Sequence, residues 1–578
     1  MTMVLDSSQD PHHQVRFAAV HAITTLMEME DSVSRLQVKI RNRILLALVA
    51  VRLDTENPYM QLQAVRAICK FCRRCTPNDL APYLNETVVT LVAVLQTENQ
   101  KLQETSLKAL ASVASLSQHF FQTHYVAAMP HLISNVINAH NVALLAKNAN
   151  CIGSIAVAVG KYIFKADAGE VIRVITLAKQ SLEVADNQTR ICILQALKKF
   201  CTCLQQDFAN YLEDLMPVFL SSAQSVGQSE NKDLLREKTM ACILLYTCAC
   251  HLKENDKFFP WVRKVAEIFV PLLNFPLESE IRKVSASAMP ELLHSVKSQG
   301  TKASFLIMMI VPPLVNALGK EREKGVLAIM FKSLNKCIQI PGSIFYTRLF
   351  TLIVDAIKQV LIEHPHRKLE YDPFEEDDKK EEEKVIIQIG NCLGSLIDKS
   401  SDKVLPILDE ILSHVTRLWG DGNTEKEKAV AFGIFNVVMQ KYGDDAHKYY
   451  SIYLPLLLEA CDNKNPDMQQ EAVCGIGICA EFGASNFRDS AEAAIGCLNS
   501  VITSTNALSS ENAKVYSAAV SALGKICKFQ RHCIKTAEKS FAHWQSQGIS
   551  TFVQEWLVSL HTTRNVVVLV LRSGHVKN

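Results

Sequence analysis

Small or apolar residues recur along this chain at offsets 0, 4, 7, 8 and 11, spacings that fall on one face of an α-helix. The pattern first reads Val15, Ala19, Ala22, Ile23, Leu26, and next Met60, Ala64, Ala67, Ile68, Phe71. It continues as Leu102, Ser106, Ala109, Leu110, Val113, and returns from Leu145, Thr189, Leu235, Ile281, Val326, Val385, Glu427, Met468 and Val515. The intervals run from 41 to 47 residues, with one exception of 59. Such a period is that of HEAT and armadillo arrays. A second apolar helix follows each match, as in PHLISNVI (130–137), PVFLSSA (217–223), PPLVNAL (312–318) and PLLLEAC (455–461). Pro130, Pro217 and Pro455 each stand 28 residues after a match, where proline starts or kinks that second helix. Turn signals at Asp10-Pro11, Asn57-Pro58 and Asn465-Pro466 precede first helices. No stretch alternates with period two, so no sheet is expected.

One helical pair cannot cover both sides of its apolar stripe, whereas stacked pairs bury a continuous core and curve. The expected fold is therefore all-α: a right-handed α-solenoid, or superhelix, of about twelve HEAT/ARM-type helical pairs. The expected organisation is a tail over 1–9, about eight repeats over 10–366 and an acidic loop over 367–384. About four more repeats over 385–544 and a divergent tail over 545–578 complete it. The long interval holds nine acids against two lysines between residues 370 and 383. A loop carrying Glu375, Glu376, Asp377, Asp378, Glu381, Glu382 and Glu383 reads either as a solvated linker or as a lure for a basic partner.

Composition narrows the function classes. A chain of 578 residues exceeds the usual size of one compact core, which suits a repeat array. The net charge of +2 supplies no global field for nucleic acid or a membrane surface. The start, MTMVLDSSQDPHHQ, lacks the basic and apolar blocks of a secretory signal, and the apolar stretches are interrupted before the length of a membrane span. The 18 cysteines are spread out, and Cys151, Cys242, Cys392 and Cys479 sit at apolar helical positions, which suits reduced buried thiols. Cys72 and Cys75 form a CxxC with no second pair at zinc-like spacing. His12-His13 and His364-Pro-His366 fall in expected turns. No phosphate-binding loop, nucleophile elbow or HExxH is present, so neither enzyme activity nor a cofactor or metal is expected.

Several segments resemble the importin-beta (karyopherin-beta) superfamily, specifically its importin-5 type and most closely its plant members. They are VRFAAVHAI (15–23), FFPWVRKVAEIFVPLLNF (258–275), IRKVSASAMPELLHSVK (281–297), IGNCLGSLI (389–397), KYYSIYLPLLLEACDNKNPDMQQEAVCGIGICAEFG (448–483) and VSALGKICKFQ (520–530). The resemblance runs from about residue 10 to about residue 544 and implies a monomeric carrier shuttling between cytoplasm and nucleus through the nuclear pore. Its implied partners are cargo with a basic localisation signal on the second-helix surface and phenylalanine-glycine nucleoporins on the first-helix surface. Ran GTPase is a third, although segments matching the N-terminal arch that binds it are missing. Against the family pattern the chain reads as truncated at both ends and near neutral, with the acidic insertion after YLEDLMPVFLSSAQ (211–224) reduced to SVGQSENKD.

On that reading, polar and aromatic residues of second helices form the cargo surface: Asn135, Asn138, Trp261, Asn316, Asp409, Glu410, Trp419, Glu459 and Asp462. Carboxylates take lysine ammonium groups, asparagines bond the peptide backbone, and tryptophans hold aliphatic stems. The alternative is a HEAT-repeat interaction scaffold without transport activity.

Overall fold

A computed structural model describes residues 2–26, 58–73, 76–139, 141–178, 181, 184–224, 231–298, 300–340, 347–369 and 376–530. These are helical throughout, with no strand among the described residues. The chain divides into two units, Met1–Ile310 and Val311–Asn578. In the first the principal helices are α1 His13–Leu26, α2 Pro58–Cys72, α3 Leu84–Val94, α4 Gln100–Ser117, α5 Tyr125–Ile137, α6 Val142–Val159 and α7 Lys161–Leu177. They continue as α8 Asn187–Leu204, α9 Leu212–Gln224, α10 Lys232–Leu252, α11 Phe259–Leu272 and α12 Ser279–Ser295, and α13 Thr301–Leu318 crosses into the second unit. That unit holds α14 Lys324–Gln339, α15 Thr347–Leu369, α16 Glu376–Lys399, α17 Leu408–Val415, α18 Glu425–Tyr442, α19 Tyr450–Ala460, α20 Pro466–Phe482, α21 Ala491–Thr503 and α22 Ala513–Phe529.

Each match to the small-residue pattern is a helix: α1 and every even-numbered one. Within each unit these helices form one layer, and their interfaces with each other are the most extensive in the chain. The odd-numbered helices barely touch one another. The close layer of even-numbered helices is termed the inner layer and the more open one of odd-numbered helices the outer layer. Small residues permit this approach. A Cβ on Gly153 of α6 would stand 3.0 Å from the Lys199 Cβ on α8, and one on Gly477 of α20 would stand 3.0 Å from the Ala522 Cα on α22. The α6 helix is apolar and long enough to cross a bilayer, as is α13, yet α6 is held between α4 and α8 as a core element.

The pairing differs from expectation. The odd helix packs mainly on the even helix that follows it, as in α5 on α6, α9 on α10 and α19 on α20, with α7 an exception that leans on α6. Capping explains the tight connection. Asn99, Asn141, Asp186, Asn231 and Asn465 each stand just before an even helix and accept hydrogen bonds from its first-turn N–H groups. Thr424 and Glu427 form a reciprocal capping box at α18. The other connection is looser. The chain leaves four even helices through positive φ at Gln118, Gly160, Gln205 and Gly443, and 3₁₀ stretches follow three of them. Pro130, Pro217 and Pro455 lie at the sixth position of α5, α9 and α19, so they interrupt these helices rather than start them. The carbonyls they leave unbonded belong to Val126, Glu213 and Ser451, all exposed.

Three expectations are corrected. The tail over 1–9 contains a helix, Thr2–Ser7, with Leu5 buried. The acidic stretch is no loop from residue 376 onward, because Glu376, Asp377 and Asp378 open α16 where its dipole favours negative charge; Glu375 lies outside the described residues. His364 and His366 sit in α15, and His364 is buried. Its Nδ1 stands 2.7 Å from the Glu382 Oε1 on α16, which also accepts a 2.7 Å bond from Arg367 Nη2. Glu427 of α18 is buried beside them and takes Lys368 Nζ at 2.5 Å. Burial pushes the Glu382 carboxyl up, but hydrogen bonds from His364 and Arg367 outweigh it and hold the group below its ordinary value. The cysteines follow expectation: burial raises the Cys151 and Cys242 thiols to about 12 and Cys392 further still. Cys72 ends α2, and Cys75 lies outside the described residues.

Candidate functional site: two grooves on the inner layer

The buried stripe of each even helix leaves a complementary stripe, near offsets 3, 6, 10 and 13 of the same pattern, facing away from the core. In both units neighbouring stripes line a groove. The second unit's groove has a volume of about 760 Å³ and runs over α14, α16, α18 and α20. Its polar lining is rich in amides, with Asn335 and Gln339 from α14, Asn391 from α16, Gln440 from α18 and Gln470 from α20. Gly390, Gly394 and Gly433 keep its floor low. At Gly390 the need is steric, since a Cβ would stand 2.5 Å from Val430 Cγ1.

Two carboxylates, Asp467 and Glu471, face this groove. Asn436 Nδ2 donates to the Glu471 Oε2 at 3.0 Å, while the Asn436 Oδ1 accepts from the Tyr453 hydroxyl at 2.7 Å. This buried relay fixes the Glu471 carboxylate. Burial, joined by the Asp467 charge, pushes Glu471 above the ordinary carboxylate value despite the Asn436 bond. The one lining cation, Lys426, is engaged by Glu383 at 3.3 Å. Two acids, one committed cation and a row of amides can take a basic extended chain.

The first unit's groove has a volume of about 770 Å³ and lies over α4, α6 and α8. Its charged lining is reversed: Arg73, Lys108, Lys147 and Lys199 against Asp186. Lys147 is paired with Glu104 at 2.6 Å. Lys199 Nζ is held by Asn150 Oδ1 and Ser154 Oγ, each at 2.7 Å.

The nine residues expected to bind cargo sit on odd helices or just beyond them, and none lines either groove. Asn135 is half-buried in α5, and the Asn138 amide bonds Ser134 Oγ at 3.2 Å. Trp261 opens α11 with Lys264 Nζ 4.8 Å from its ring centroid. Asn316, Glu459 and Asp462 are exposed. Asp409 and Glu410 are already engaged: Asp409 accepts from Lys448 at 2.6 Å and from Tyr449, and Glu410 from Lys358 at 3.0 Å. Trp419 packs among Phe432, Phe435 and Tyr453 with centroids 5.4, 4.7 and 6.1 Å away. Of the acidic stretch, Glu381, Glu382 and Glu383 are bound to Lys384, Arg367 and Lys426, and Asp378 to Lys324 at 3.2 Å. Glu376 and Asp377 make only long contacts to Lys380. No side-chain cluster able to hold a metal ion occurs among the described residues.

A third recess, of about 480 Å³, lies on the other side of the first unit. Ile175 and Thr176 of α7 and Leu215, Pro217 and Val218 of α9 form its walls, and Ile193 and Leu197 of α8 its floor. The exposed large apolar residues also favour the odd layer, with Val89, Val126, Tyr162, Leu177 and Ile452 among them.

No family model matches the chain. Curated relatives do. Importin subunit beta-3 of Saccharomyces cerevisiae is 22% identical over 94% of this chain and 54% of its own length. The probable importin-5 homolog of Dictyostelium discoideum is 24% identical over 82% of this chain and 48% of its own. The chain thus spans about half the length of the curated relatives it matches. Among solved structures, the karyopherin Kap121p superposes with a TM-score of 0.78 at 21% identity, covering 94% of this chain and 54% of that one. Kap121p bound to Pho4p gives a TM-score of 0.75 at 20% identity, over 100% of this chain and 59% of that one. These likenesses give the fold, a HEAT-repeat α-solenoid, and along most of its length the chain is similar in sequence to proteins named as importins.

Proposed function

We propose that the chain is an importin-type nuclear transport receptor, or the portion of one that holds cargo. It binds a lysine-rich localisation signal in the second unit's groove and carries its bearer through the nuclear pore, shuttling between cytoplasm and nucleus. The observation that supports this most is the lining of that groove. Glu471, fixed by Asn436 and Tyr453, and Asp467 offer charge to lysines, while Asn391, Gln440 and Gln470 offer amides to an extended backbone. Relatives named as importins and the crystallised complex of Kap121p with Pho4p agree with a cargo-holding role. Kap121p has also been crystallised with Nup53p, and the slot between α7 and α9 suits a phenylalanine ring of a nucleoporin repeat.

Fluorescence anisotropy with a labelled lysine-rich peptide tests this. Binding should weaken with salt, and Asp467→Asn with Glu471→Gln should lower affinity about tenfold, the scale of one or two charge-assisted hydrogen bonds. Capture on phenylalanine-glycine repeats should fall with Val218→Asp. Failure of the unmodified chain to bind either ligand sinks the reading and leaves a HEAT scaffold without transport. Release by Ran GTPase is a separate question, answered by titrating GTP-loaded Ran into the peptide complex.

A further inference from the structure

We propose that the first unit's groove, floored by α4, α6 and α8, binds an extended acidic peptide segment, the opposite charge preference to that of the second unit. Four cations line it against one acid, and that acid is committed: Asp186 caps α8 through the Thr189 N–H at 2.9 Å and accepts from the Thr189 hydroxyl at 2.8 Å. Arg73 and Lys108 are exposed and close no ion pair among the described residues; Lys108 feels only the field of Glu104, whose carboxylate is bonded to Lys147. Lys199 is half-buried, and its ammonium rests on neutral oxygens of Asn150 and Ser154 alone. Burial lowers its pKa, which marks a charge without its counter-ion. A carboxylate placed above it supplies that counter-ion and gains charge-assisted hydrogen bonds.

Spacing sets the form of the ligand. Neighbouring helices lie about 8–10 Å apart. A chain extended as a polyproline II helix advances about 3.1 Å per residue with about three residues per turn, so acids at every third residue share one side and meet one helix of the inner layer at a time. Asn150 and Gln195, joined at 3.2 Å between α6 and α8, offer amides to the ligand backbone. A polynucleotide suits the groove less well, because no aromatic residue lines it to stack a base.

The test uses the full chain and two labelled peptides, one with aspartate and one with lysine at every third position of a glycine-serine background. The aspartate peptide should bind, weaken between about 50 and 200 mM salt, and lose about tenfold in affinity when Arg73→Glu and Lys108→Glu are combined. Both positions are exposed, so the variant should keep the wild-type helical circular dichroism. Lys199→Met, with its stem retained, should weaken the aspartate peptide as well. Binding of the lysine peptide, which reports on the second unit's groove, should be unchanged in both variants. No binding of the aspartate peptide to the unmodified chain overturns the proposal, as does equal binding to the charge-reversed one. Competition by a single-stranded oligonucleotide of equal charge at equal concentration also overturns it, in favour of a general polyanion surface.

Discussion

The first unit's groove and the second unit's are built alike and furnished differently. Both have floors of even-numbered helices brought close by alanine and glycine, and both hold nearly the same volume. Yet one presents Arg73, Lys108, Lys147 and Lys199, and the other Asp467 and Glu471. The buried stripe fixes spacing and depth, since each helix must satisfy both neighbours. The opposite stripe touches no core and can carry either sign. In a repeat scaffold, specificity is therefore written where packing has no say.

The units also differ in how charge is buried, and this gives the largest expected effect. The second unit seats Glu382 and Glu427 among His364, Arg367 and Lys368, whereas the described residues of the first have one such pair, Arg190 with Glu237 at 2.9 Å. Glu382→Ala strands Arg367 and His364 and should cost about 3–5 kcal/mol in chemical denaturation, read as an earlier transition. Glu376→Gln, at the exposed start of the same helix, should shift it by less than about 0.5 kcal/mol. Because the folded Glu382 carboxyl is depressed, its contribution is present above the ordinary value of 4.5 and is lost as pH falls through the depressed one. A denaturation midpoint that stays flat on acidification below that value contradicts this.

Steric tolerance of the floors should differ next. Gly390→Ala puts a methyl 2.5 Å from Val430 Cγ1, a β-branched side chain with little freedom on a helix. The expected cost is about 1–3 kcal/mol in thermal or chemical melting. Gly153→Ala, whose tightest contact is a milder 3.0 Å to the Lys199 Cβ, should cost less. Equal losses would remove the distinction.

The grooves should also respond differently to pH. Glu471 lies above the ordinary carboxylate value, so it loses its charge early on acidification. Lysine-peptide binding should fall about fivefold between pH 7 and 5, roughly 1 kcal/mol. Aspartate-peptide binding to the first unit should hold, because its cations gain no competitor for their charge. Titration of both peptides by anisotropy decides it. The smallest effect is backbone strain: Gln205 holds φ 50° where Gly443 serves at the matching exit. Gln205→Gly should stabilise the first unit by about 0.5–1 kcal/mol, seen as a raised Tm.

Much of the fold was legible because the core enforces it. Val15, Leu145 and Val515 begin patterns that end as helices, since a missed apolar position would face a neighbouring helix. The pairing was not legible from apolarity, because both connections are short. The caps carried that signal: Asn99, Asn141 and Asp186 mark the tight turn into an even helix. For the same reason Asn135 and Glu459 were expected to bind cargo from the outer layer, whereas the proposed grooves lie on the even helices. Taking the polar complement of the repeat itself picks out Lys108, Lys199, Asn391 and Glu471. Glu382 looked like part of a solvated run because its partners, His364 and Arg367, belong to the preceding helix and no helical spacing reveals them.

The clasp from α15 to α16 has a practical consequence. Arg367 and His364 hold Glu382 directly, so side-chain contacts between the two helices set their alignment. The odd interval of 59 then follows from two long helices of 23 and 24 residues, not from a repeat gained or lost. The exposed first turn of α16, at Glu376 and Asp377, is then the natural place for a fluorophore tag or an affinity handle, because the clasp that aligns the two helices lies further along.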